Sequence, residues 1–474
     1  MEAQSPSLET ILFASARASA HFALSCLEPF NGHLRAKSSF VKPDGEIMHW
    51  HDFGDLEGPG WAANAVGGAH LLWRWGCTVG DESIQASALA LLDHVLEDGF
   101  IDAESGFIRP YYELAQQRFC LNYVHADDWL CPGSLAKIGV QLLEFADELA
   151  GVGEWESGRR GESANGESRL TFDVSRIASM RGVATRLAAW VFAHTPLLPN
   201  GWAPRRITLG GEAFPLTPHG QPDPIFDHSA DGLFLLELAV ALTAAGLADS
   251  VGLTDTRAQA EALGDAFIAA GGFWGSINHD TYDDHENVAY SCAFRILRRA
   301  ADVLDRPDWR EFAYRAALPA LARFRMAEDR NGVATTGLLW MEESWDTAYL
   351  WENAEAAQAY LEAWAETGDE AYREVALGIL RAIAYHHYGD LGFLTEGVDW
   401  NNHVSQRHHI DEALYGAIQY TEPLLNNLHF LGPTLFYLQK IGYRPPAGMD
   451  DRAALVLISE IGAAARDQLR PDRD

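Results

Sequence analysis

The residue types that could do chemistry are most concentrated near the end of the chain, where a polar link runs into an apolar segment. Residues 389–420 are rich in acids, amides, His and Trp, and residues 421–441 begin polar and then become almost wholly apolar. Short polar side chains suit a helix start, where free backbone N–H groups need acceptors. We therefore predict a buried helix over 421–441 whose polar end carries reactive groups. The candidates here are Glu396, Glu422 and His429 for catalysis, and Asp399, Trp400 and Asn426 for ligand binding.

Five earlier segments repeat this combination of a long polar link and a following apolar helix. Carboxylates and imidazoles in such links can transfer protons, while aromatic rings, acids and amides suit the C–H faces and hydroxyls of a sugar. Acids at helix starts equally suit simple capping. The earlier candidates for catalysis are Asp127, Asp284, His285 and Glu352. The earlier candidates for binding are Trp50, His51, Asp52, Trp61, Asn64, Tyr123, His125, Asp128, Asp231, Tyr282, Trp345, Asp346 and Trp351.

Apolar helices alternate with amphipathic ones along the whole chain, and the links between them alternate in length. Because links of one kind lie at the same end of a bundle, we expect the candidate residues to share one face. Six buried helices inside, six amphipathic helices outside and one surplus terminal helix predict an all-α (α/α)6 toroid. A less regular α-solenoid is the structural alternative. The long links are 27–60, 99–126, 196–228, 271–284, 327–348 and 389–420.

The predicted toroid is a single domain that takes in residues 1–474. Residues 151–170 (GVGEWESGRRGESANGESRL) have the composition of a flexible insert. A small hairpin is expected at RITLGGEAF within the link 196–228. No strand-rich domain is indicated at either end of the sequence.

Charge and hydropathy exclude several classes of partner. The chain of 474 residues has 35 basic and 67 acidic residues, a net charge of −32, so nucleic acid and anionic membranes are poor partners. No apolar run reaches the roughly 20 residues of a membrane span. The first residues, MEAQSPSLET, lack the basic and apolar regions of a signal peptide. We expect a cytoplasmic protein with a small-molecule or oligosaccharide substrate, and the sequence leaves homo-oligomerisation open.

Metal and cofactor motifs are missing from the sequence. The five cysteines are scattered and lack CxxC spacing. His408 and His409 stand beside Asp411, but no HxxxH or HExxH spacing supports a metal site there. There is no phosphate-binding loop, dinucleotide fingerprint or GxSxG motif. We therefore expect neither a metal nor a cofactor.

The end of the chain resembles the N-acylglucosamine and cellobiose 2-epimerases, which belong to the six-hairpin sugar enzymes. The similar segments are WENAEAAQAYLEAWAETGDEAYREVA, GFLTEGVDWNN and LHFLGPTLFYL, within roughly residues 280–440. The resemblance implies sites at Trp351, Glu355, Asp399 and His429. HENVAY offers His285 and Glu286 for the family's second catalytic His, about one turn early. The first half of the chain lacks a match to the family's Arg-bearing helices.

A single segment resembles a second group, the unsaturated uronyl hydrolases. VHADDWLCPGSLAKIG is similar to the Asp-led helix of these enzymes, and Asp127 stands at the position of their proton donor. The Gly/Asn/Trp-rich helix start that these enzymes have elsewhere is not seen in this chain.

These residues favour a carbohydrate-active enzyme, and they favour hydrolysis of a glycosidic bond narrowly over epimerisation or isomerisation. Hydrolysis of a glycosidic bond needs an acid and a second carboxylate, and the broad supply of carboxylates in the long links favours it. A sugar 2-epimerase or isomerase would use His285 and His429 as acid and base. A polysaccharide lyase could use Tyr282, with Asn278 and His279, although few basic residues accompany them. The non-enzymatic alternative is an α-solenoid binding scaffold.

Overall fold

Two concentric rings of helices form a barrel, and the long links cover one end of it. The computed structural model describes residues 6–49, 55–159, 167–248, 256–271, 274–279, 281–344, 347–401 and 416–469. Within these residues the predicted (α/α)6 toroid is confirmed. The six buried segments form the inner ring, and the amphipathic segments lie outside them.

The inner ring closes because each inner helix packs against the next and the last packs against the first. Its helices are apolar on nearly all sides, as α6 illustrates, with buried residues from Leu233 to Leu242 interrupted only at Glu237. The inner helices are α2 (Ala65–Val79), α4 (Pro132–Arg159), α6 (Leu233–Ala244), α8 (Asn287–Leu304), α11 (Leu350–Thr367) and the pair α13 (Asn426–His429) and α14 (Leu431–Lys440).

The outer helices bury one stripe and expose the rest. In α12 the buried residues Ala376, Ile379, Leu380 and Ile383 follow the i, i+3, i+4, i+7 spacing of a one-sided helix. The outer helices are α1 (Leu8–Ser25), α3 (Glu82–Glu97), α5 (Glu167–His194), α7 (Thr256–Ala269), α9 (Pro307–Phe312) with α10 (Leu318–Leu321), and α12 (Glu370–Ala384). The surplus helix is α15 (Asp451–Leu469), which packs on the outside of α1.

Two inner helices begin later than the sequence pattern predicts. Residues 127–131 precede α4 because Leu130 is extended and pairs with Ile207. The predicted helix start at Thr421 is wrong for the same reason, since Thr421 pairs with Val41 and α13 begins only at Asn426. The acids in these segments are therefore not helix caps.

Short strands organise the covered end. They are β1 (Leu27–Phe30), β2 (His33–Ala36), β3 (Leu56–Glu57), β4 (Tyr111–Glu113), β5 (Arg118–Cys120), β6 (Thr347–Tyr349), β7 (His387–Tyr388), β8 (Phe393–Leu394) and β9 (Gly397–Asp399). The antiparallel pairs are β1 with β2, β3 with β4, β4 with β5, β6 with β9, and β7 with β8. The pairing of β3 with β4, and of β6 with β9, ties one long link to another.

The segment predicted as a flexible insert is partly helical. Helix α4 continues to Arg159 and α5 begins at Glu167, so both extend into 151–170, and residues 160–166 lie outside the described part of the chain. The predicted hairpin near RITLGGEAF is present as a bridge between Ile207 and Ala213. None of the helices in the described ranges is both long enough and apolar enough to cross a membrane.

A glycine allows two inner helices to approach closely at the covered end. The backbone N–H of Gly133, in the first turn of α4, donates a 3.2 Å hydrogen bond to Oδ2 of Asp231. A Cβ atom at Gly133 would lie closer than 3.0 Å to the carbonyl oxygen and the carboxylate of Asp231. A side chain there would force α4 away from the segment that leads into α6.

Gly133→Ala is therefore expected to lower the free energy of unfolding by about 1–3 kcal/mol, the usual cost of overpacking. Gly378→Ala in α12 is the matched control because a Cβ at Gly378 meets no atom within 4 Å. Helix propensity predicts that this control gains up to about 1 kcal/mol. Urea unfolding of both variants measures the difference, and equal stability would contradict the close approach.

Candidate functional site

Two cavities lie inside the barrel, one above the other, and four side chains separate them. Lys137 projects from α4, and its Nζ lies 3.9 Å from the centre of the Trp61 ring, 4.9 Å from that of Phe234 and 5.9 Å from that of Trp351. The Trp61 and Trp351 rings meet edge to face at 5.1 Å. We call Trp61, Lys137, Phe234 and Trp351 the aromatic–lysine partition. The loop-side cavity lies on the side of the long links, and the barrel cavity lies between the inner helices.

The loop-side cavity contains several of the predicted residues. It has a volume of about 50 Å³ and is lined by residues from four of the six long links, which shows that these four links meet at one end. Glu396 and Glu422, both predicted as catalytic, lie in its wall with the predicted binding residues Tyr123, Trp61 and Trp351. The lining is Phe40, Trp61, Ala62, Tyr111, Tyr123, Asn278, His279, Tyr349, Trp351, Glu396, Tyr420 and Glu422.

His279 is a buried imidazole in the wall of the loop-side cavity. Its Nε2 lies 3.6 Å from Oδ1 of the buried Asp231. Burial by itself would lower the pKa of His279, but Cys131 and Asp231 raise it to about 9. Two fully buried guanidiniums, those of Arg205 and Arg206, donate to the backbone carbonyls of the link that carries His279 and share the carboxylate of Asp223. This network fixes His279 at the cavity wall.

Glu352, predicted as catalytic, lies in a sealed cluster of carboxylates behind the loop-side cavity. It accepts hydrogen bonds from Asn278 Nδ2 at 2.6 Å and Asn287 Nδ2 at 2.7 Å, and it is fully buried together with Glu286 and Glu342. Burial and the neighbouring Glu286 raise the pKa of Glu352 well above its usual value. Burial raises the pKa of Glu286 to about 7, against hydrogen bonds from Ile277 and Asn278. Glu352 lines neither cavity.

The barrel cavity is larger, with a volume of about 480 Å³, and its wall is formed by all six inner-ring elements. A pocket of this size is in the range of small-molecule sites. Its wall carries charged and amide side chains at successive turns of the helices. Those that bear on its chemistry are His70, Arg74, Lys137, Gln141, Glu144, Glu148, Glu237, Arg295, Arg299, Glu355, Gln358, Glu362 and His429.

A chain of three charged or polar groups lies in this wall. Nε2 of His429 is 2.6 Å from Oε1 of Glu355, and Arg295 pairs with the other oxygen of the same carboxylate. Burial would raise the pKa of Glu355, but Arg295 and His429 together hold it far below its usual range. The ionised Glu355 accepts a hydrogen bond from the Nε2–H of His429, so Nδ1 is the ring nitrogen left for another partner. Nδ1 has no hydrogen-bond partner among the described residues.

Glu237 is a second titratable group of the cavity wall. Burial and the nearby Glu144 raise its pKa to about 7, so it exchanges a proton near neutral pH. Glu144 itself pairs with Arg299 at 2.9 Å. Glu144 therefore has a cationic partner, whereas Glu237 is close to its titration point near neutral pH.

The barrel cavity contains a second imidazole further along the barrel. His70 is one turn beyond Gly67 on α2, stacks on the Phe145 ring at 5.0 Å, and contacts Glu148 through Nε2 at 2.6 Å. His429, in contrast, packs edge to face on Trp351 of the partition, with the ring centres 5.9 Å apart. The two histidines therefore have separate carboxylate partners.

The remaining predicted catalytic residues lie away from both cavities. Asp127 is exposed and pairs with Arg118 at 2.6 Å, and Asp284 is 76% exposed and contacts His228. Nδ1 of His285 is 2.6 Å from the Tyr290 hydroxyl. The structure does not bring Asp127, Asp284 or His285 to a common site with His429.

The predicted binding residues are dispersed in the same way. Asn64 contacts Leu424 and Gln141 at the edge of the barrel cavity. Asn426 contacts Thr395 and Thr421. His125 contacts Glu113, and Tyr282 stacks on Arg205. Asp128 is exposed, Asp399 is buried in β9 and Trp400 is half-buried. Trp50, His51, Asp52, Trp345 and Asp346 lie outside the described residues.

Sequence reasoning missed Lys137, Glu237 and Arg295 in the barrel cavity. A usable signal was present for two of them, because Lys137 and Glu237 are single charges inside otherwise apolar helical runs (GSLAKIGV and LFLLELAVAL). Such charges are rarely buried without a partner or a function. Arg295 belongs to the run RILRR, which on its own is typical of a solvent-exposed face.

Comparison with known proteins identifies the fold. No family model matches the sequence, and no curated protein matches it. A D-mannose isomerase superposes with a TM-score of 0.56 at 12% identity, covering 92% of this chain and 100% of that chain. Cellobiose 2-epimerase from Bacillus thermoamylovorans gives 0.58 at 12% identity, covering 90% and 99%. Unsaturated glucuronyl hydrolase from Bacillus sp. GL1 gives 0.50 at 13% identity, covering 93% and 100%.

These superpositions establish a shared fold, that of the (α/α)6-barrel proteins. The resemblance to six-hairpin enzymes drawn from the sequence is confirmed at this level.

The buried glutamates predict a loss of stability as the pH rises. Glu286 and Glu237 have folded-state pKa values of about 7, raised from 4.5, so their stabilising contribution is complete below about pH 4.5 and is lost as the pH rises through 7. We expect the free energy of unfolding to fall by at least about 1.4 kcal/mol between about pH 5 and about pH 8. Urea unfolding at several pH values measures this slope.

Glu286→Gln removes one of the buried ionisable groups and is expected to flatten the slope. Glu343→Gln, at an exposed side chain of the neighbouring link, is the matched control and should leave the slope unchanged. A wild-type protein that becomes more stable over this pH range would show that these carboxyls are not held in the neutral form.

Proposed function

We propose that this protein is a sugar-active enzyme that moves a proton between C1 and C2 of an open-chain aldose, and so interconverts an aldose and a ketose. The observation that carries the proposal is the Arg295–Glu355–His429 chain in the wall of a cavity of about 480 Å³. Two proteins of the same fold are named for reactions at these sugar carbons, a D-mannose isomerase and a cellobiose 2-epimerase.

The wall of the barrel cavity suits a polyhydroxylated ligand. Gln141 and Gln358 supply amides, while the carboxylates and guanidiniums of the wall supply acceptors and donors for hydroxyl groups. The Phe234 ring of the partition lines the cavity with apolar surface, on which the C–H face of a sugar can stack.

His429 acts as the general base in this proposal. Its Nδ1 takes the proton from C2, the C–H bonding electrons form the C1=C2 double bond, and the π electrons of the C1 carbonyl move to O1. The imidazolium that forms is stabilised by the ionised Glu355, which Arg295 holds in place. The same imidazolium then returns the proton to C1, which gives a ketose.

Glu237 moves the second proton that the reaction requires. A carboxyl group with a pKa of about 7 can protonate O1 and take the proton from O2, and it ends the cycle in its starting state. The net change is one hydrogen from C2 to C1 and one from O2 to O1. No external oxidant or reductant is needed.

A single base on one face of the sugar favours isomerisation over epimerisation. Epimerisation at C2 needs an acid on the opposite face, and His285, predicted for that role, contacts Tyr290 and lines neither cavity. The other imidazole of the barrel cavity, His70, contacts Glu148 through Nε2 as His429 contacts Glu355. The predicted pair of His285 and His429 therefore has less support than a single relay.

Glycoside hydrolysis is the second candidate, and one observation favours it. Glu237, with its raised pKa, could donate a proton to a glycosidic oxygen, while Glu144, paired with Arg299, could act as the second carboxylate. This differs from the pairings expected from the sequence, whose carboxylates lie at the surface, in a sealed cluster or around the small loop-side cavity.

His429→Asn is expected to lower kcat for aldose–ketose conversion by about 10²–10⁴-fold, the usual contribution of a general base. His70→Asn is the matched control, because it removes the other imidazole of the same cavity, and it should retain activity within several-fold. Proton NMR in deuterated buffer with a panel of aldoses follows both the ketose signals and the loss of the C2 proton.

Other outcomes separate the alternatives. Equal loss in both variants, with inversion at C2, would indicate an epimerase with two histidines. New anomeric signals from an oligosaccharide, abolished by Glu237→Gln, would establish hydrolysis instead. Full activity of His429→Asn would contradict the proposed base.

A further inference from the structure

Lys137 differs from the other cations of the barrel cavity. Arg74 lies 3.5 Å from Glu148, Arg299 lies 2.9 Å from Glu144, and Arg295 pairs with two glutamates. Lys137 makes no ion pair and donates no hydrogen bond to any of the described residues, although six carboxylates line the same cavity. A chain with a net charge of −32 has a large excess of anions with which to pair a lysine.

Aromatic rings hold the ammonium of Lys137 in place of a carboxylate. Its Nζ is 3.9 Å from the centre of the Trp61 ring and is also near those of Phe234 and Trp351. A cation over a ring face is attracted by the ring quadrupole, which stabilises the charge without using its N–H donors. The three N–H donors of the ammonium group are therefore left for a ligand in the cavity.

The position of Lys137 is close to the groups that move protons. It borders the barrel cavity, and its charge acts on both Glu355 and Glu237. Trp351, one of its three rings, also packs against His429. The Trp351 indole therefore contacts both Lys137 and His429, which places them at the same end of the cavity.

We propose that Lys137 is a further catalytic residue, whose ammonium donates hydrogen bonds to O1 and stabilises the enediolate formed when a base removes the C2 proton. This inference rests on the proposed function. Lys137 keeps its protons throughout: the C2–H electron pair forms the C1=C2 bond, the π electrons of the C1 carbonyl move to O1, the base holds the proton, and the ammonium faces the new negative charge. A fixed cation stabilises such a charge far more than it stabilises a neutral hydroxyl.

Lys137→Met tests this role, because methionine keeps most of the chain length and removes the charge. We expect kcat to fall by about 10²–10³-fold, as for the loss of one oxyanion donor, with KM changed only several-fold. Lys440→Met is the matched control, since Lys440 is exposed and its Nζ lies 5.8 Å from the centre of the Trp364 ring. Thermal unfolding of both variants establishes that they are folded.

A binding experiment separates a catalytic role from a structural one. An aldonohydroxamate resembles the charged enediolate, and the corresponding alditol resembles the neutral sugar. Calorimetry with Lys137→Met should show a loss of affinity of at least about tenfold for the hydroxamate and little change for the alditol. Equal losses for both ligands, or unchanged binding of both with unchanged kcat, would overturn the inference.

The two proposals fail in different ways. If the wild-type protein converts no aldose, the proposed function fails, while the comparison of hydroxamate with alditol still tests whether Lys137 recognises a developing negative charge. If the wild type is active and Lys137→Met keeps its kcat, the inference fails and the proposed function stands.

Discussion

Charge pairing inside the barrel is the interaction on which the rest of the structure depends. The inner helices turn charged side chains toward a common cavity, where opposite charges on neighbouring helices pair. Arg295 of α8 meets this constraint by contacting Glu355 and Glu362 of α11, and Arg299 of α8 reaches Glu144 of α4. The contacts that neutralise the cavity therefore also join helices of the inner ring, including α4 and α8, which are separated by α6.

The aromatic–lysine partition is the exception to this pairing, and it divides the interior. The rings of Trp61, Phe234 and Trp351 take the place of an anion around Lys137. On the side of the long links they leave a small cavity with Glu396 and Glu422, and on the other a larger one with His429 and Glu237. The barrel cavity has the volume and the proton-transfer groups that the proposed reaction requires, and the partition supplies one end of its wall.

The sequence predicted the fold well because alternation of helix type and of link length is a property of the whole chain. It predicted the site only in part. His429 could be found as a polar residue at the start of an apolar helix, whereas Arg295 looks like an exposed residue until its partner Glu355, 60 positions away, is known.

Likewise, nothing local to Glu352 indicates that Asn278 seals it, since 74 residues separate the two. Asp127 and Asp284 have the residue type of catalytic acids, but the paths of their links leave them at the surface.

A crystal structure of the His429→Asn variant with a bound alditol tests the central claim most directly, namely that the barrel cavity is the sugar site. The account predicts electron density for the alditol inside this cavity, with one oxygen within hydrogen-bond distance of Nζ of Lys137 and a carbon facing residue 429. Density confined to the loop-side cavity, against Glu396 and Glu422, would contradict it and would move the chemistry to the other side of the partition.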